Sequence, residues 1–273
     1  MAQIISVTAG TGNYPTGQKI DKAVVTYDCP LAPAVDAGCF AVEGRTVTAA
    51  QAEGTSVTLF LDPEEEAAAL VPKPKPRPHK PGEKMGPPRD MPPTVLRPVQ
   101  VAVTQRASIR AADGSAIPAD GALHVSECTV QPVVEDFAQG EYAGIPYNLY
   151  TPENLEPGKT YPLVMFIHDA GPCGPDPKIT LAQGLGAVSF AAPAWQETHP
   201  CFVLAPQIDR SVHLTNDDFT CSEEMEDIKA LLDHIVVTHP VDRDRIYTTG
   251  QSMGCMASCE LNIRYPDLFA ASL

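Results

Sequence analysis

The segment Tyr161–Ile167 is the feature that most limits how this chain folds. It reads Tyr-Pro-Leu-Val-Met-Phe-Ile and contains no charged residue. A strand of this composition is buried on both faces, as happens inside a parallel sheet that helices cover. Residues 201–205 have the same character, and 245–249 are predicted to form a further strand. Because such strands alternate with helical patterns from about Leu123 onward, the sequence predicts an α/β fold with a doubly wound, mostly parallel sheet.

The helices predicted after about Leu123 are inferred from apolar residues at helical spacing. One begins near Ser222, where an acidic first turn suits the positive end of the helix dipole, and its apolar stripe continues to Val236. The other predicted helices are 181–191 and 252–264. The remaining predicted strands are 130–137, Ile145–Tyr150 and 268–273.

The first part of the chain has β-strand patterns without helical ones. Short runs of β-branched and aromatic residues are separated by Gly, Pro and Asp turns, which is typical of a β-sandwich. The predicted strands are 23–27, 46–48, Ser56–Leu61 and 99–104. The sequence therefore predicts two domains, a β-sandwich at 1–124 and the first part of an α/β domain at 125–273.

Residues 71–98 interrupt the predicted sandwich with a run rich in proline and lysine, including Lys73-Pro-Lys-Pro-Arg-Pro-His-Lys80. Alternating Pro and Lys favours an extended polyproline conformation with solvated charges, so this segment is predicted to be a flexible insertion. A second interpretation, a docking ligand for an aromatic groove or an acidic surface, stays open. His79 lies inside the segment and is predicted to be exposed rather than catalytic.

The charge balance excludes some partners. A formal net charge of −15 repels phosphate backbones, so nucleic acid is not an expected partner.

No stretch is long and apolar enough to cross a bilayer, so no membrane association is expected. The first residues lack the pattern of a signal peptide, and a cytoplasmic location is therefore favoured, with secretion left open.

The eight cysteines include no Cys-x-x-Cys pair, which favours a reducing compartment. Cys29 with Cys39, or Cys201 with Cys221, could still form disulfides in an exported protein. Cys255 and Cys259 have a spacing that could hold a metal, but the prediction is that they are small buried thiols packed against the sheet.

The sequence Gly250-Gln-Ser252-Met-Gly254 lies between a predicted strand and a predicted helix. In this context a Gly-x-Ser-x-Gly pattern predicts a nucleophile elbow, in which the serine occupies a strained turn. Gly250 and Gly254 are small enough to let strand and helix approach each other. Ser252 is therefore the candidate nucleophile, and the backbone N–H of Met253, at the helix N-terminus, is a candidate oxyanion donor.

A second oxyanion donor is expected from the loop after the strand Tyr161–Ile167, where the sequence reads His168-Asp-Ala-Gly171. A backbone N–H can donate from any residue except proline, and the prediction is Asp169, with Ala170 as the alternative. His168 is predicted to brace this loop by hydrogen bonding rather than to act as the base.

Three segments together resemble the serine esterase branch of the α/β-hydrolase superfamily: Arg245-Ile-Tyr-Thr-Thr-Gly-Gln-Ser-Met-Gly254, Pro162-Leu-Val-Met-Phe-Ile-His168 and Leu204-Ala-Pro-Gln207. That branch includes polyhydroxybutyrate depolymerase-like, feruloyl esterase-like and prolyl-oligopeptidase-like enzymes. The β-rich part is similar to the immunoglobulin-like N-terminal domain of some of these esterases. The resemblance implies hydrolysis of a small-molecule or polymer ester through an acyl-serine intermediate, without a metal or an organic cofactor.

In that family the triad acid and the histidine follow the serine in the chain. Here Asp267 comes too soon after Ser252, and no histidine follows the serine. The resemblance therefore implies that the triad Asp and His lie downstream of Leu273, so that the chain is C-terminally truncated and inactive alone. Among upstream histidines, His213 is the least unfavourable substitute, although its position is more typical of a surface loop.

Two other functions stay open. The elbow does not distinguish ester from amide bonds, so a serine peptidase of the prolyl-oligopeptidase type is an alternative. A non-catalytic binding protein, in which the hydrolase half is a relic, is another. Trp195 and Phe190 are predicted either to line a substrate pocket or to belong to the core.

Overall fold

A computed structural model describes residues 3–72, 93–209, 214–215 and 220–273. The prediction of a flexible insertion falls mainly on residues outside these ranges. The described part of the chain divides into two compact units, one formed by 3–70 and 97–132, the other by 71–96 and 133–273 in their described residues.

The division differs from the predicted boundary at 124/125. Residues Cys128–Val130 form a strand that pairs in parallel with Ile4–Tyr14, so the first unit continues to residue 132. Thr94 belongs to the second unit, because its N–H donates to the Cys173 carbonyl oxygen at 2.8 Å and its hydroxyl donates to the Gly171 carbonyl oxygen at 3.3 Å. Backbone pairing, which the residue pattern does not reveal, sets both boundaries.

The strands of the first unit are β1 Ile4–Tyr14, β2 Gly17–Tyr27, β3 Phe40–Val42, β4 Val47–Glu53, β5 Ser56–Leu61, β6 Ala102–Gln105, β7 Ile109–Arg110, β8 Ala116–Ile117, β9 His124–Val125 and β10 Cys128–Val130. The strands of the second unit are β11 Phe137–Tyr142, β12 Ile145–Tyr150, β13 Tyr161–Ile167, β14 Phe202–Pro206, β15 Val241–Gly250 and β16 Ala271–Ser272. The helices are α1 Lys178–Ala182, α2 Val188–Ala191, α3 Pro193–Gln196, α4 Glu224–Thr238 and α5 Met253–Arg264.

The first unit contains two larger sheets, with strand orders β10-β1-β2-β5-β4 and β3-β6-β9. The hydroxyl of Tyr27, on β2, donates to the side-chain oxygen of Gln105, on β6, at 3.0 Å, and both side chains are buried. This bond joins the two sheets through the interior, as expected when two sheets face each other across a core. The predicted β-sandwich is confirmed.

A partly buried ion pair stabilises one end of this sandwich. The Arg45 side chain, 6% exposed, donates to the Glu65 carboxylate at 2.7 Å and to the carbonyl oxygens of Ile20 and Asp62. Hydrogen bonds from Thr46 and Arg45 hold the pKa of the Glu65 carboxyl below its ordinary value of 4.5. The carboxylate form of Glu65 is therefore the one that stabilises the folded unit.

The second unit is built on a sheet with the strand order β11-β12-β14-β13-β15-β16. The pairs β11–β12 and β12–β14 are antiparallel, and the pairs β14–β13, β13–β15 and β15–β16 are parallel. The predicted α/β fold is confirmed. Because the parallel strands end at one edge, the loops after β13, β14 and β15 lie at that edge.

Helices cover both faces of this sheet, because alternate side chains of its strands point to opposite faces. Leu163, Met165 and Ile167 pack in the same cluster as the apolar residues of α4 and α5. Val164 and Phe166 pack with residues of α1 and α2. This two-sided burial explains why β13 is apolar throughout.

Three element predictions were wrong in detail. The predicted strand 130–137 is interrupted by Val133, whose φ of 69° is a turn conformation, so a new strand begins at Phe137. The predicted helix 181–191 is divided into α1 and α2 by the turn around Gly184 and Gly186. The predicted strand 268–273 is reduced to Ala271–Ser272.

The replacement Glu65→Gln should destabilise the first unit at neutral pH by about 1 kcal/mol, because Arg45 loses a charged acceptor. Since folding lowers the pKa of Glu65, this contribution is fully present above pH 4.5 and is lost as the pH falls through the lower, folded-state pKa. Urea titrations at pH 7 and about pH 3, read by hydrogen exchange of peptides from β2, should show a difference from the unmodified protein at pH 7 that becomes smaller at the lower pH.

The matched control is Glu66→Gln, which changes the neighbouring carboxylate. The Glu66 side chain is 76% exposed and its closest contact with Arg97 is 3.8 Å, so its removal should change the stability by less than about 0.5 kcal/mol. Equal losses in the two variants, or a loss at Glu65 that persists in acid, would contradict the assigned role of Glu65.

Candidate active site

Ser252 lies in the sharp turn between β15, which ends at Gly250, and α5, which begins at Met253. Its backbone has φ 53° and ψ −112°, outside the regions that residues with a Cβ ordinarily occupy. Such a conformation costs about 1–3 kcal/mol and persists only where the surroundings impose it. The side chain is exposed. The turn therefore presents the Ser252 hydroxyl outward instead of burying it against the sheet.

The two glycines of the turn make the close approach of strand and helix possible. A Cβ on Gly250 would lie 2.3 Å from the carbonyl carbon of Gly254. A Cβ on Gly254 would lie 1.9 Å from the carbonyl oxygen of Ile167, at the end of β13. Neither position can hold a larger residue without a shift of backbone.

The start of α5 offers a site of positive potential next to Ser252. Met253 is the first residue of the helix, so its N–H has no partner within the helix, and no other group in the described residues accepts from it. The N–H of Gly254 is already used, because it donates to the Gln251 carbonyl oxygen at 2.9 Å. Met253 can therefore supply an N–H to an anion that forms on a group attached to Ser252.

The loop after β13 begins beside this turn. Ile167 and Gly250 are paired residues at the ends of the parallel strands β13 and β15, and the N–H of Gln251 donates to the Ile167 carbonyl oxygen at 3.2 Å. Asp169 and Ala170 follow two and three residues after Ile167 and are partly buried. The structure therefore brings the predicted oxyanion loop and the predicted nucleophile to the same edge of the sheet.

His168 is fully buried and both of its ring nitrogens are engaged. Its Nε2 accepts from the N–H of Ile208 at 2.8 Å, and its Nδ1 lies 2.6 Å from the carbonyl oxygen of Asp169. A nitrogen that accepts carries no proton, so the ring is neutral, with the proton on Nδ1. The predicted bracing role of His168 is confirmed.

Gln207 also fixes this loop, and the sequence reasoning did not identify its role. It follows β14, is fully buried, and donates to the carbonyl oxygen of Pro172 at 3.0 Å. Its side-chain oxygen accepts from the N–H and the hydroxyl of Thr180 in α1. An amide directly after a buried strand is a signal that could have been noticed, because a buried amide requires several partners.

The other described histidines of the second unit lie away from the turn. His199 and His239 precede β14 and β15, so they are at the opposite edge of the sheet from Ser252. His234 lies in α4 and stacks on Tyr142, with ring centroids 4.1 Å apart. Predictions about His79 and His213 concern residues outside the described ranges.

The prediction that Cys255 and Cys259 are buried was wrong. The face of α5 that packs on the sheet contains Met253, Ala257 and Leu261, so Cys255 and Cys259 point away and are exposed. The described residues contain no group of three or more His, Cys, Asp or Glu side chains that could hold a metal ion. All eight cysteines lie in the described part of the chain and none forms a disulfide there, which includes the two pairs considered above.

A cavity of about 470 Å³ lies on the other side of the second unit's sheet from α5. Phe190 and Trp195 form part of its wall, and their rings meet edge to face with centroids 5.3 Å apart. Cys201 also lines it, and burial raises the pKa of its thiol. Neither Ser252 nor any residue of the loop after β13 lines this cavity. Trp195 and Phe190 are thus cavity residues at a distance from the turn.

The strand order of the second unit and the strained serine between β15 and α5 define an α/β-hydrolase domain. Comparison with known proteins agrees with this class. Residues 6–118 match the family model described as the esterase Ig-like N-terminal domain. The crystal structure of a thermostable esterase superposes with a TM-score of 0.85 and 25% sequence identity, covering 98% of this chain and 76% of that one.

Poly(3-hydroxyalkanoate) depolymerase C of Paucimonas lemoignei is 30% identical over 98 residues, which are 32% of this chain and 23% of the depolymerase. The chain thus spans about a quarter of the length of the curated relative that it matches. The predicted resemblance to α/β-hydrolase esterases with an immunoglobulin-like N-terminal domain is confirmed, and the similarities support a hydrolase enzyme. Of the helices in the described ranges, none is long and apolar enough to cross a membrane.

The replacement Gly254→Ala should destabilise the second unit, because the new methyl group would overlap the Ile167 carbonyl oxygen and push α5 away from β13. We expect the melting temperature followed by circular dichroism to fall by more than about 6 °C.

Gly158→Ala is the control in the same unit. Gly158 has φ 80°, and no atom lies within 4 Å of the position that a Cβ would occupy there, so only backbone strain is added. The melting temperature should then fall by about 2–4 °C. Similar shifts for both variants would show that the contact with Ile167 does not determine the position of α5.

Proposed function

We propose that this protein is a carboxylic-ester hydrolase in which Ser252 forms an acyl-serine intermediate. The observation that carries the proposal is the backbone of Ser252, which is strained, exposed and followed at once by a helix N-terminus. A serine with no catalytic role gains nothing from this conformation, which costs about 1–3 kcal/mol. The similarity to a thermostable esterase over 98% of the chain supports the same activity.

In the proposed reaction the Ser252 Oγ attacks the ester carbonyl carbon, and the serine proton passes to a general base. The carbonyl oxygen becomes an oxyanion, which the N–H groups of Met253 and Asp169 stabilise. When the C–O bond to the alcohol breaks, the base returns the proton to the leaving alkoxide. Water then attacks the acyl-serine by the same route, which releases the carboxylic acid and restores the serine.

The described histidines of the second unit are not placed to act as the general base. His168 cannot accept a proton at Nε2 without losing its bond from Ile208, and His199, His234 and His239 are engaged elsewhere. The triad Asp and His that the resemblance implies stay a prediction. So does the favoured cytoplasmic location.

The substrate class follows from the relatives. One relative is named a thermostable esterase and another a poly(3-hydroxyalkanoate) depolymerase, so a small-molecule or polymeric ester is the proposed substrate. A peptidase of the prolyl-oligopeptidase type and a non-catalytic binding protein remain the alternatives. The elbow would serve amide hydrolysis equally well, so a direct comparison of substrates is needed.

A fluorophosphonate probe should label the full gene product at Ser252, because it captures an activated serine and places its phosphoryl oxygen in the oxyanion site. Ser252→Ala should abolish labelling and lower the hydrolysis of p-nitrophenyl acetate by at least about 10⁴-fold. Mass spectrometry of the labelled peptide identifies the serine.

Ser189→Ala is the matched control, since Ser189 is also an exposed serine near a helix start in the second unit. It should leave labelling and hydrolysis unchanged. Faster cleavage of a peptide p-nitroanilide than of the ester would favour the peptidase, and an unlabelled Ser252 without any ester hydrolysis would favour the binding protein.

A further inference from the structure

We infer that Gln207 is a positioning residue that holds the loop after β13 in the geometry needed for oxyanion binding. The inference rests on the proposed function, because it concerns the loop that contains the proposed donor Asp169. Gln207 does not lie in the turn at Ser252. It would act through the backbone of the loop and not by contact with the substrate.

All four hydrogen-bonding positions of the Gln207 amide are used. The side-chain oxygen accepts from the N–H of Thr180 at 2.9 Å and from its hydroxyl at 2.7 Å. The side-chain nitrogen donates to the carbonyl oxygens of Pro172 at 3.0 Å and Ile208 at 3.1 Å. With none of its surface exposed, the side chain has no access to water as a substitute partner. Its orientation is therefore fixed.

These bonds join three segments at the edge of the sheet: the end of β14, the first turn of α1, and the loop after β13. Two further hydrogen bonds also hold this loop. The N–H of Ile208 donates to His168, and the N–H of Gly174 donates to the Ile208 carbonyl oxygen at 3.3 Å. The loop is thus held at its start by His168 and in its middle by Gln207.

The position of Pro172 makes the Gln207 bond important for the donor. Pro172 is three residues after Asp169, and between them Gly171 donates its N–H to the Asp169 carboxylate at 2.5 Å. A displacement of the Pro172 carbonyl would therefore pass along a short, internally bonded segment to the amide at Asp169. Because oxyanion stabilisation depends on a donor about 3 Å from the developing charge, a displacement of about 1 Å can lower the rate about a hundredfold.

Gln207→Glu tests this role without changing the size of the side chain. In the ionised variant, a carboxylate oxygen replaces the nitrogen and faces the carbonyl oxygens of Pro172 and Ile208, so the loop is repelled instead of held. In the protonated variant, the acid O–H can donate to one of these carbonyls. Burial and the two facing carbonyls should raise the pKa of the introduced carboxyl above its ordinary value.

Near pH 5, we expect kcat of Gln207→Glu to be within about threefold of kcat of the unmodified protein. By pH 8, the ratio of the two kcat values should have fallen at least about tenfold. The ratio removes the titration of the catalytic base, which both proteins share. KM for p-nitrophenyl acetate should change by less than about twofold, because the displaced donor acts mainly on the transition state. Gln207→Met, which cannot donate or ionise, should show a reduced kcat whose ratio does not depend on pH.

Gln105→Glu is the matched control for a purely structural effect. Gln105 is a buried amide of the first unit whose oxygen accepts from Tyr27 and whose nitrogen lies within hydrogen-bond distance of the carbonyl oxygens of Ala107, Ile117 and Pro118. Its variant should lower the melting temperature but leave kcat unchanged below that temperature. Thr180→Val is the milder second variant, which removes one donor to Gln207 and should lower kcat about threefold to tenfold.

A kcat ratio for Gln207→Glu that does not vary with pH, or a change in KM alone, would overturn the positioning role. Equal losses of kcat in the Gln105 and Gln207 variants would also overturn it, since the effect would then be general loss of stability. If Gln207→Glu does not fold, the kcat of Thr180→Val decides, and an unchanged value refutes the inference. Absence of Ser252-dependent hydrolysis in the unmodified protein would instead refute the proposed function, and the role of Gln207 with it.

Discussion

The contact between Gly254 and the end of β13 is the constraint on which the candidate site depends. The first turn of α5 lies so close to the Ile167 carbonyl that a methyl group at position 254 would come within 1.9 Å of its oxygen. With the helix held there and β15 in register with β13, the chain between Gly250 and Met253 has to turn sharply, and Ser252 takes the strained conformation as a result. The strain is sustained because the apolar face of α5, with Met253, Ala257 and Leu261, is buried on the sheet.

The same edge of the sheet illustrates how much of the fold the sequence could predict. β13 was predicted with its bounds because burial on both faces leaves a run of apolar residues that no surface strand shares. The turn at Ser252 was predicted because a strand, a Gly-x-Ser-x-Gly pattern and a helix occur in that order. Where the spacing of apolar residues was clear, the secondary structure predicted from it agreed with the tertiary structure.

The failures have a common physical cause, which is that pairing and orientation depend on distant residues. Cys128–Val130 lies beyond the predicted boundary at 124/125, and only its parallel pairing with β1 shows that it belongs to the first unit. Cys255 and Cys259 were expected to face the sheet, although Met253, Ala257 and Leu261 already occupy that face. Gln207 was recognised as part of a motif, but its role depends on partners at Pro172 and Thr180, which are distant in sequence.

The buried polar groups behind the candidate site are neutral, and this has a consequence for the electrostatics at Ser252. Gln207, Thr180 and Asn148 are uncharged by nature, and His168 is neutral because its Nε2 accepts from Ile208. A buried charge at any of these positions would need its own compensation and would add a strong field where an oxyanion is proposed to form. Neutral amides and hydroxyls can hold the loop firmly without such a field. The N-terminus of α5 then contributes a potential at the Ser252 hydroxyl whose sign favours negative charge.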